Sequence, residues 1–170
     1  EIEARGAGAL SVACDVGDKA AVERAIAQVV ERFGRLDVVI NNAQAVRFNT
    51  VLDTTDDDAD VMWRSGFLGT LHVMQASHPH LVATQGVIIN VIGNCGERPD
   101  PEIIVATITN SGLMAFTRAL GSVSPDKGVR VLGVNPGPTL TERLELLMKK
   151  KAADRTGDAG RWQELVAPLP

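Results

Sequence analysis

The chain contains no tyrosine, and aromatic residues of any kind make up only 4% of its 170 positions. No phenol is available as a proton donor, and the stacking platforms used to bind single-stranded nucleic acids are scarce. A basic excess is missing too. The 17 Lys and Arg stand against 21 Asp and Glu, for a net charge of −4, which removes the positive footprint of a nucleic-acid partner. No apolar run has the length of a bilayer span, and no charged-then-apolar leader opens the sequence. The expectation is a cytoplasmic protein with no membrane partner. Two cysteines, Cys14 and Cys95, show neither metal spacing nor a disulfide framework, as expected of free thiols in a reducing compartment. His78-Pro79-His80 lacks further ligands at a familiar spacing and reads as a helix-ending loop, so no metal is expected.

What is present is 45% apolar and 22% charged, enough for one globular domain over residues 1–170. Apolar strand runs alternate with helical patterns, the signature of βα units and a mostly parallel sheet. Ala9 to Val16 reads as the first strand. Asp18 can cap a helix whose Val22, Ile26, Val29, Val30 and Phe33 share one face, with Gly34 placed to stop it. Leu36 to Asn41 is the second strand. A long helix is predicted from Asp60 to Ala76, with Pro79 closing it. Gly86 to Ile92 is the third strand, Ile103 to Leu120 the next helix, and Val129 to Val134 the fourth strand. Asn135-Pro136-Gly137-Pro138 must be a turn, followed by an amphipathic helix from Thr141 to Ala153.

The apolar run Leu36-Asp37-Val38-Val39-Ile40 ends abruptly in Asn41-Asn42-Ala43. A buried parallel strand has this form where its C-terminal end opens onto a ligand crevice. The stretch resembles the Asn-Asn-Ala-Gly strand end of the short-chain dehydrogenase/reductase family, with Gln44 in place of the final glycine. Pro136-Gly137 followed by Thr141 matches the loop that sits over the nicotinamide in that family, and Asp15 stands where members place an aspartate against the adenine ring. The resemblance runs from about residue 8 to residue 145. It implies a Rossmann-type doubly wound parallel sheet, NAD or NADP as cofactor, and hydride transfer to or from an alcohol or carbonyl substrate. It also implies cofactor binding by Asp15, Asn41, Asn42, Ala43, Pro136, Gly137 and Thr141, and a homo-oligomer paired through the helices over Asp60 to Ala76 and Ile103 to Leu120. The substrate, a small molecule, is not identified.

Against that family the chain reads as incomplete at both ends. No glycine-rich strand–turn–helix unit, which would hold the pyrophosphate, precedes Ala9, and Leu165 to Pro170 stops before any further strand. The family's catalytic groups are a serine, a tyrosine, a lysine four residues after it, and a helix asparagine. Alignment on Ser111-Gly112-Leu113 puts Asn110 at the lysine, Ala106 at the tyrosine, Gly93 at the serine and Gly66 at the asparagine. All four groups are lost. Removing general acid catalysis alone costs about 10²- to 10⁴-fold in rate.

A replacement acid would sit in the polar loop after the third strand, among Asn94, Cys95, Glu97, Arg98 and Asp100, with Glu97 or Asp100 raised in pKa by burial. His72 reads as an ordinary helix residue, and Lys149-Lys150-Lys151 as an exposed face or a clamp for an acidic substrate. Three functions are consistent with these residues: a fragment of an NAD(P)-dependent oxidoreductase that departs from the tyrosine–lysine mechanism, a non-catalytic binding or structural module on the same scaffold, and an inactive truncated product.

Overall fold

A computed structural model describes residues 2–166, apart from the Arg143 side chain; the reading of Leu165 to Pro170 falls partly outside this range. The chain divides into two compact units, Glu1–Asn135 and Pro136–Pro170, where composition suggests a single domain. The boundary is the predicted turn. Pro136 and Pro138 lack the backbone donors a ladder or helix interior requires.

The first unit is α/β. A parallel sheet carries β1 (Val38–Asn41), β2 (Val87–Val91) and β3 (Arg130–Val134) in that spatial order. Its helices are α1 (Lys19–Phe33), α2 (Asp56–Trp63), α3 (Gly69–Thr84) and α4 (Ile104–Val123). The α1 boundaries are where local chemistry puts them. The Asp18 carboxylate accepts from the Ala20 and Ala21 amides, and Gly34 ends the helix at φ +75°, a conformation that costs glycine little. At α2, Thr55 and Asp58 form a reciprocal capping box.

Three expectations fail for physical reasons. Ala9 to Val16 forms no regular element, ends in a turn at Val16, and pairs with no strand among the described residues. Apolar alternation makes a segment fit for a sheet, whereas the ladder needs a neighbour to supply its hydrogen bonds. Pro79 does not end its helix, which runs on to Thr84. Its ring and the Gln75 side chain lie on the exposed side, where the carbonyl that loses its partner can reach water, while Ser77 and Leu81 are fully buried on the other side. Accordingly His78 and His80 are helix residues, not loop residues. The predicted single helix from Asp60 is interrupted by a π turn over Arg64–Leu68.

The main core lies on one face of the sheet, where Val39, Ile88 and Val129 meet Met74 and Leu81 of α3, with Phe116 and Leu120 of α4 against them. The register sets Ile40, Ile89 and Leu132 side by side on the opposite face, where Ile40 is 62% and Leu132 52% exposed. Helix α4 and its flanking turns, Pro101–Lys127, have a mean hydropathy of 1.3 over a membrane-length window, longer than the sequence reading allowed for an apolar run. Its Ala106, Asn110, Leu113 and Thr117 are buried, as in a core helix.

The second unit holds α5 (Glu142–Thr156) and a short α6 (Trp162–Val166). Thr141 caps α5 by accepting from the Leu144 amide, Gly157 ends it at φ +74°, and Asp158 turns the chain toward α6 by accepting from the Gly160 amide at 2.7 Å.

Candidate functional site

Strand β1 finishes in amides that the fold must satisfy. Asn41 Nδ2 donates to Asn90 Oδ1 at 2.8 Å, and Asn90 Nδ2 donates to Thr117 Oγ1 on α4 at 2.9 Å. Asn90 is 1% exposed, so leaving one of its polar atoms unpaired would cost about 1–3 kcal/mol. The chain of amides fixes the ends of β1 and β2 against α4.

Beyond that strand end opens a pocket of about 100 Å³ lined by Val16, Ile40, Asn41, Asn42, Ala43, Gly69, Thr70 and Val73. Asn41, Asn42 and Ala43, consecutive in the chain, all line it. Asp15 is not among these lining residues. It is exposed, and its Oδ1 accepts from the Gly17 amide at 2.8 Å in a local turn. Its neighbour Val16 forms the wall instead. A Cβ at Gly69 would stand 2.6 Å from Val16 Cγ2, so α3 approaches this wall only because residue 69 has no side chain. The sequence reading missed Val16, Gly69, Thr70 and Val73. The available signal was the Gly69-Thr70 pair with Val73 one turn on, a small notch on an otherwise apolar helix.

The four positions aligned with the family's catalytic groups converge in space. Asn110 is buried on α4, one turn after the buried Ala106. A Cβ at Gly93 would lie 3.1 Å from Asn110 Nδ2, and one at Gly66 would lie 2.8 Å from Thr109 Cγ2 and 3.2 Å from Gln44 Nε2. Gln44 fills the space that Gly66 leaves: its Nε2 donates to Asn110 Oδ1 at 3.0 Å, and Asn110 Nδ2 donates to Cys95 Sγ at 2.9 Å. The loop is pinned again where the Ala45 amide donates to Ser65 Oγ at 3.0 Å. A Gln44–Asn110–Cys95 chain occupies the positions aligned with the family's proton-transfer groups.

The loop after β2 offers little acid. Glu97 is exposed, against the expectation of burial, and accepts from Asn135 Nδ2 at 3.4 Å. Asp100 Oδ1 accepts from the Glu102 amide at 2.9 Å, which starts the turn leading into α4. Cys95 is half-buried, and burial pushes its thiol pKa up, reinforced by the Asp100 charge and opposed by the Asn110 hydrogen bond. Cys14 is exposed. Reaction with a disulfide reagent near pH 8 should therefore show a fast phase from Cys14 and a slow one from Cys95. Cys14→Ser should remove the fast phase alone; a single fast phase from both thiols would contradict this environment for Cys95.

Among the described residues no group of three His, Cys, Asp or Glu side chains could hold a metal. His72 Nδ1 lies 3.0 Å from the Val16 carbonyl oxygen. In the second unit, Pro136 and Gly137 lie outside any helix or strand, Thr141 is the α5 cap, and Lys149 Nζ pairs with Glu145 Oε1 at 2.7 Å.

The family model described as short chain dehydrogenase matches residues 1–152. An uncharacterized oxidoreductase, YhdF, of Bacillus subtilis is 31% identical over 158 residues, covering 92% of this chain and 54% of that protein. A structure of L-sorbose reductase from Gluconobacter frateurii complexed with NADPH and L-sorbose superposes with a TM-score of 0.87 at 26% identity, covering 98% of this chain and 64% of that one. NAD+-bound xylitol dehydrogenase gives 0.84 at 24% identity, covering 91% and 61%, and shows the fold alone. The chain spans little more than half the length of the curated relatives it matches.

Proposed function

The chain belongs to the short-chain dehydrogenase family, and from that premise we propose that it is part of an NAD(P)-dependent oxidoreductase acting between an alcohol and a carbonyl compound by a proton route other than tyrosine–lysine. The observation that carries this reading is the pocket at the end of β1, where Asn41, Asn42 and Ala43 meet Val16 and the Gly69 notch.

The residues fit the adenine end of a nicotinamide dinucleotide, since positions 66, 93, 106 and 110, aligned with the family's catalytic groups, are not among those that line the pocket. Val16, Ile40 and Val73 offer apolar walls and Asn41 and Asn42 polar edges, which suits a flat heteroaromatic ring. About 100 Å³ is space for one ring rather than a whole cofactor, since sites for drug-sized ligands occupy about 300–1,000 Å³. When bound, the nicotinamide supplies or accepts the hydride. The chain's own residues at positions 66, 93, 106 and 110 hold no acid, and of the side chains bonded to Asn110 only Cys95 carries an acidic proton.

A second reading, a binding module without turnover, is favoured by the Gln44–Asn110–Cys95 chain, which engages polar groups a substrate oxygen would otherwise meet. Fluorescence titration of the full chain with NADH and NADPH, followed by turnover assays on alcohol and carbonyl panels, separates the two. Saturable binding with slow turnover is expected. Binding with no turnover would leave the module, and no binding would remove both readings. Self-association through the helices over Asp60 to Ala76 and Ile103 to Leu120, where Trp63 and Ile108 are exposed, belongs to the same proposal and is read by light scattering.

A further inference from the structure

The wall of the pocket is held in an unusual way. Ala9 to Val16 pairs with no strand among the described residues, so no ladder fixes the Val16 backbone. Just after it the chain turns, with the Asp18 amide donating to the Asp15 carbonyl at 3.0 Å and the Asp18 side chain capping α1. What ties Val16 to the pocket is α3. The Val16 carbonyl oxygen lies 3.0 Å from His72 Nδ1, and since a carbonyl only accepts, Nδ1 carries the proton. One turn earlier on the same helix, Gly69 gives Val16 the room to lie against α3. His72 is flanked by Val73, itself a lining residue. The hydrogen bond and the notch act on one residue from one helix, and together they set the distance between the Val16 wall and the Asn41–Ala43 wall.

We propose that His72 is a positioning residue for adenine-nucleotide binding: its Nδ1–H holds the Val16 carbonyl, and so keeps the pocket wall in register for the ring. The inference rests on the cofactor reading above. A tether of this kind contributes to affinity by preorganisation, because a loose wall must be ordered when the ligand binds.

The test uses the full chain with NADH and, separately, ADP-ribose, which has the adenosine end and no nicotinamide. His72→Leu removes the donor and keeps an apolar side chain. His72→Asn places an amide nitrogen where Nδ1 stands. His72→Leu should raise Kd about tenfold for both ligands, the worth of one hydrogen bond, and His72→Asn should recover most of the loss. A merely structural histidine would lower the melting temperature of both variants and leave the Kd of the folded protein unchanged. Equal Kd for wild type and His72→Leu overturns the proposal, as does a loss confined to NADH or an Asn variant as weak as the Leu variant. Should His72→Leu fail to fold, Gly69→Ala decides, because its Cβ displaces Val16 from the other side; weaker ADP-ribose binding supports the tether and unchanged binding overturns it. Wild type that binds neither ligand removes the cofactor reading itself, an outcome distinct from all of these.

Discussion

A chain carrying Gln44→Gly, Gly66→Asn, Gly93→Ser, Ala106→Tyr and Asn110→Lys together is expected to oxidise NAD(P)H with a carbonyl substrate about 10²- to 10⁴-fold faster than the natural sequence. The argument starts from what each position supplies now. Glycine and alanine at 66, 93 and 106 have no proton to give, and Asn110 is committed through Oδ1 to Gln44 and through Nδ2 to Cys95. A phenol at 106 supplies the proton for a forming alkoxide, a lysine one turn later stabilises the phenolate, and a serine at 93 holds the substrate oxygen. The substitutions are coupled by sterics. A side chain at 66 begins 2.8 Å from Thr109 Cγ2 and 3.2 Å from Gln44 Nε2, so Gly66→Asn requires that the Thr109 methyl shift as well as that Gln44 leave. Ala106→Tyr alone should gain little, having no cation beside it to lower the phenol pKa. The comparison is made on variants shown to bind NADPH and to melt cooperatively. If the fivefold variant satisfies both and its rate matches that of the parent, the missing groups are not what limits this chain.

Much of the scaffold was legible because its signals are local. Asp18 and Gly34 bracket α1 through bonds to residues two to four positions away, and such patterns survive in a sequence read alone. The strand end at Asn41 was legible for the same reason: an apolar run that stops in two amides has few other uses. What was hidden is what depends on a distant partner. Ala9 to Val16 alternates like a strand, yet strand identity belongs to a pair of segments, and it pairs with no strand among the described residues. Pro79 reads as a stop until the exposed side of α3 is known. At the site, the pocket needed Val16 and Gly69 to meet across more than fifty residues. The Gln44–Asn110 bond spans 66 positions, and nothing in Gln44's neighbours announces it. The family resemblance points to positions 66, 93, 106 and 110, but only the structure shows that Gln44 and Asn110 are bonded to each other.

The largest effects on stability are expected where α3 hands the chain to β2. Leu81 is fully buried in the main core, and Leu81→Ala should cost about 2–5 kcal/mol through lost burial and the cavity left behind. Five residues on, Gly86 donates its amide to the Leu81 carbonyl at 2.9 Å, and its carbonyl accepts from the Arg130 amide at 3.1 Å. The backbone therefore cannot swing away from its neighbours. A Cβ at Gly86 would lie 2.5 Å from the Asp37 carbonyl oxygen and 2.6 Å from Leu81 Cδ2. That carbonyl already accepts from the Val87 amide at 2.9 Å, so yielding there would strain the start of the β1–β2 pairing. Gly86→Ala should thus cost about 1–3 kcal/mol in urea unfolding. The double variant discriminates between the two contacts. Truncating Leu81 removes the Cδ2 overlap and leaves the overlap with the Asp37 backbone, so the double should be less destabilised than the sum of the singles by about 0.5–3 kcal/mol. Strict additivity would mean that the Asp37 carbonyl alone excludes a side chain at position 86. A double worse than the sum would mean that the cavity at 81 is what lets the β1–β2 junction distort.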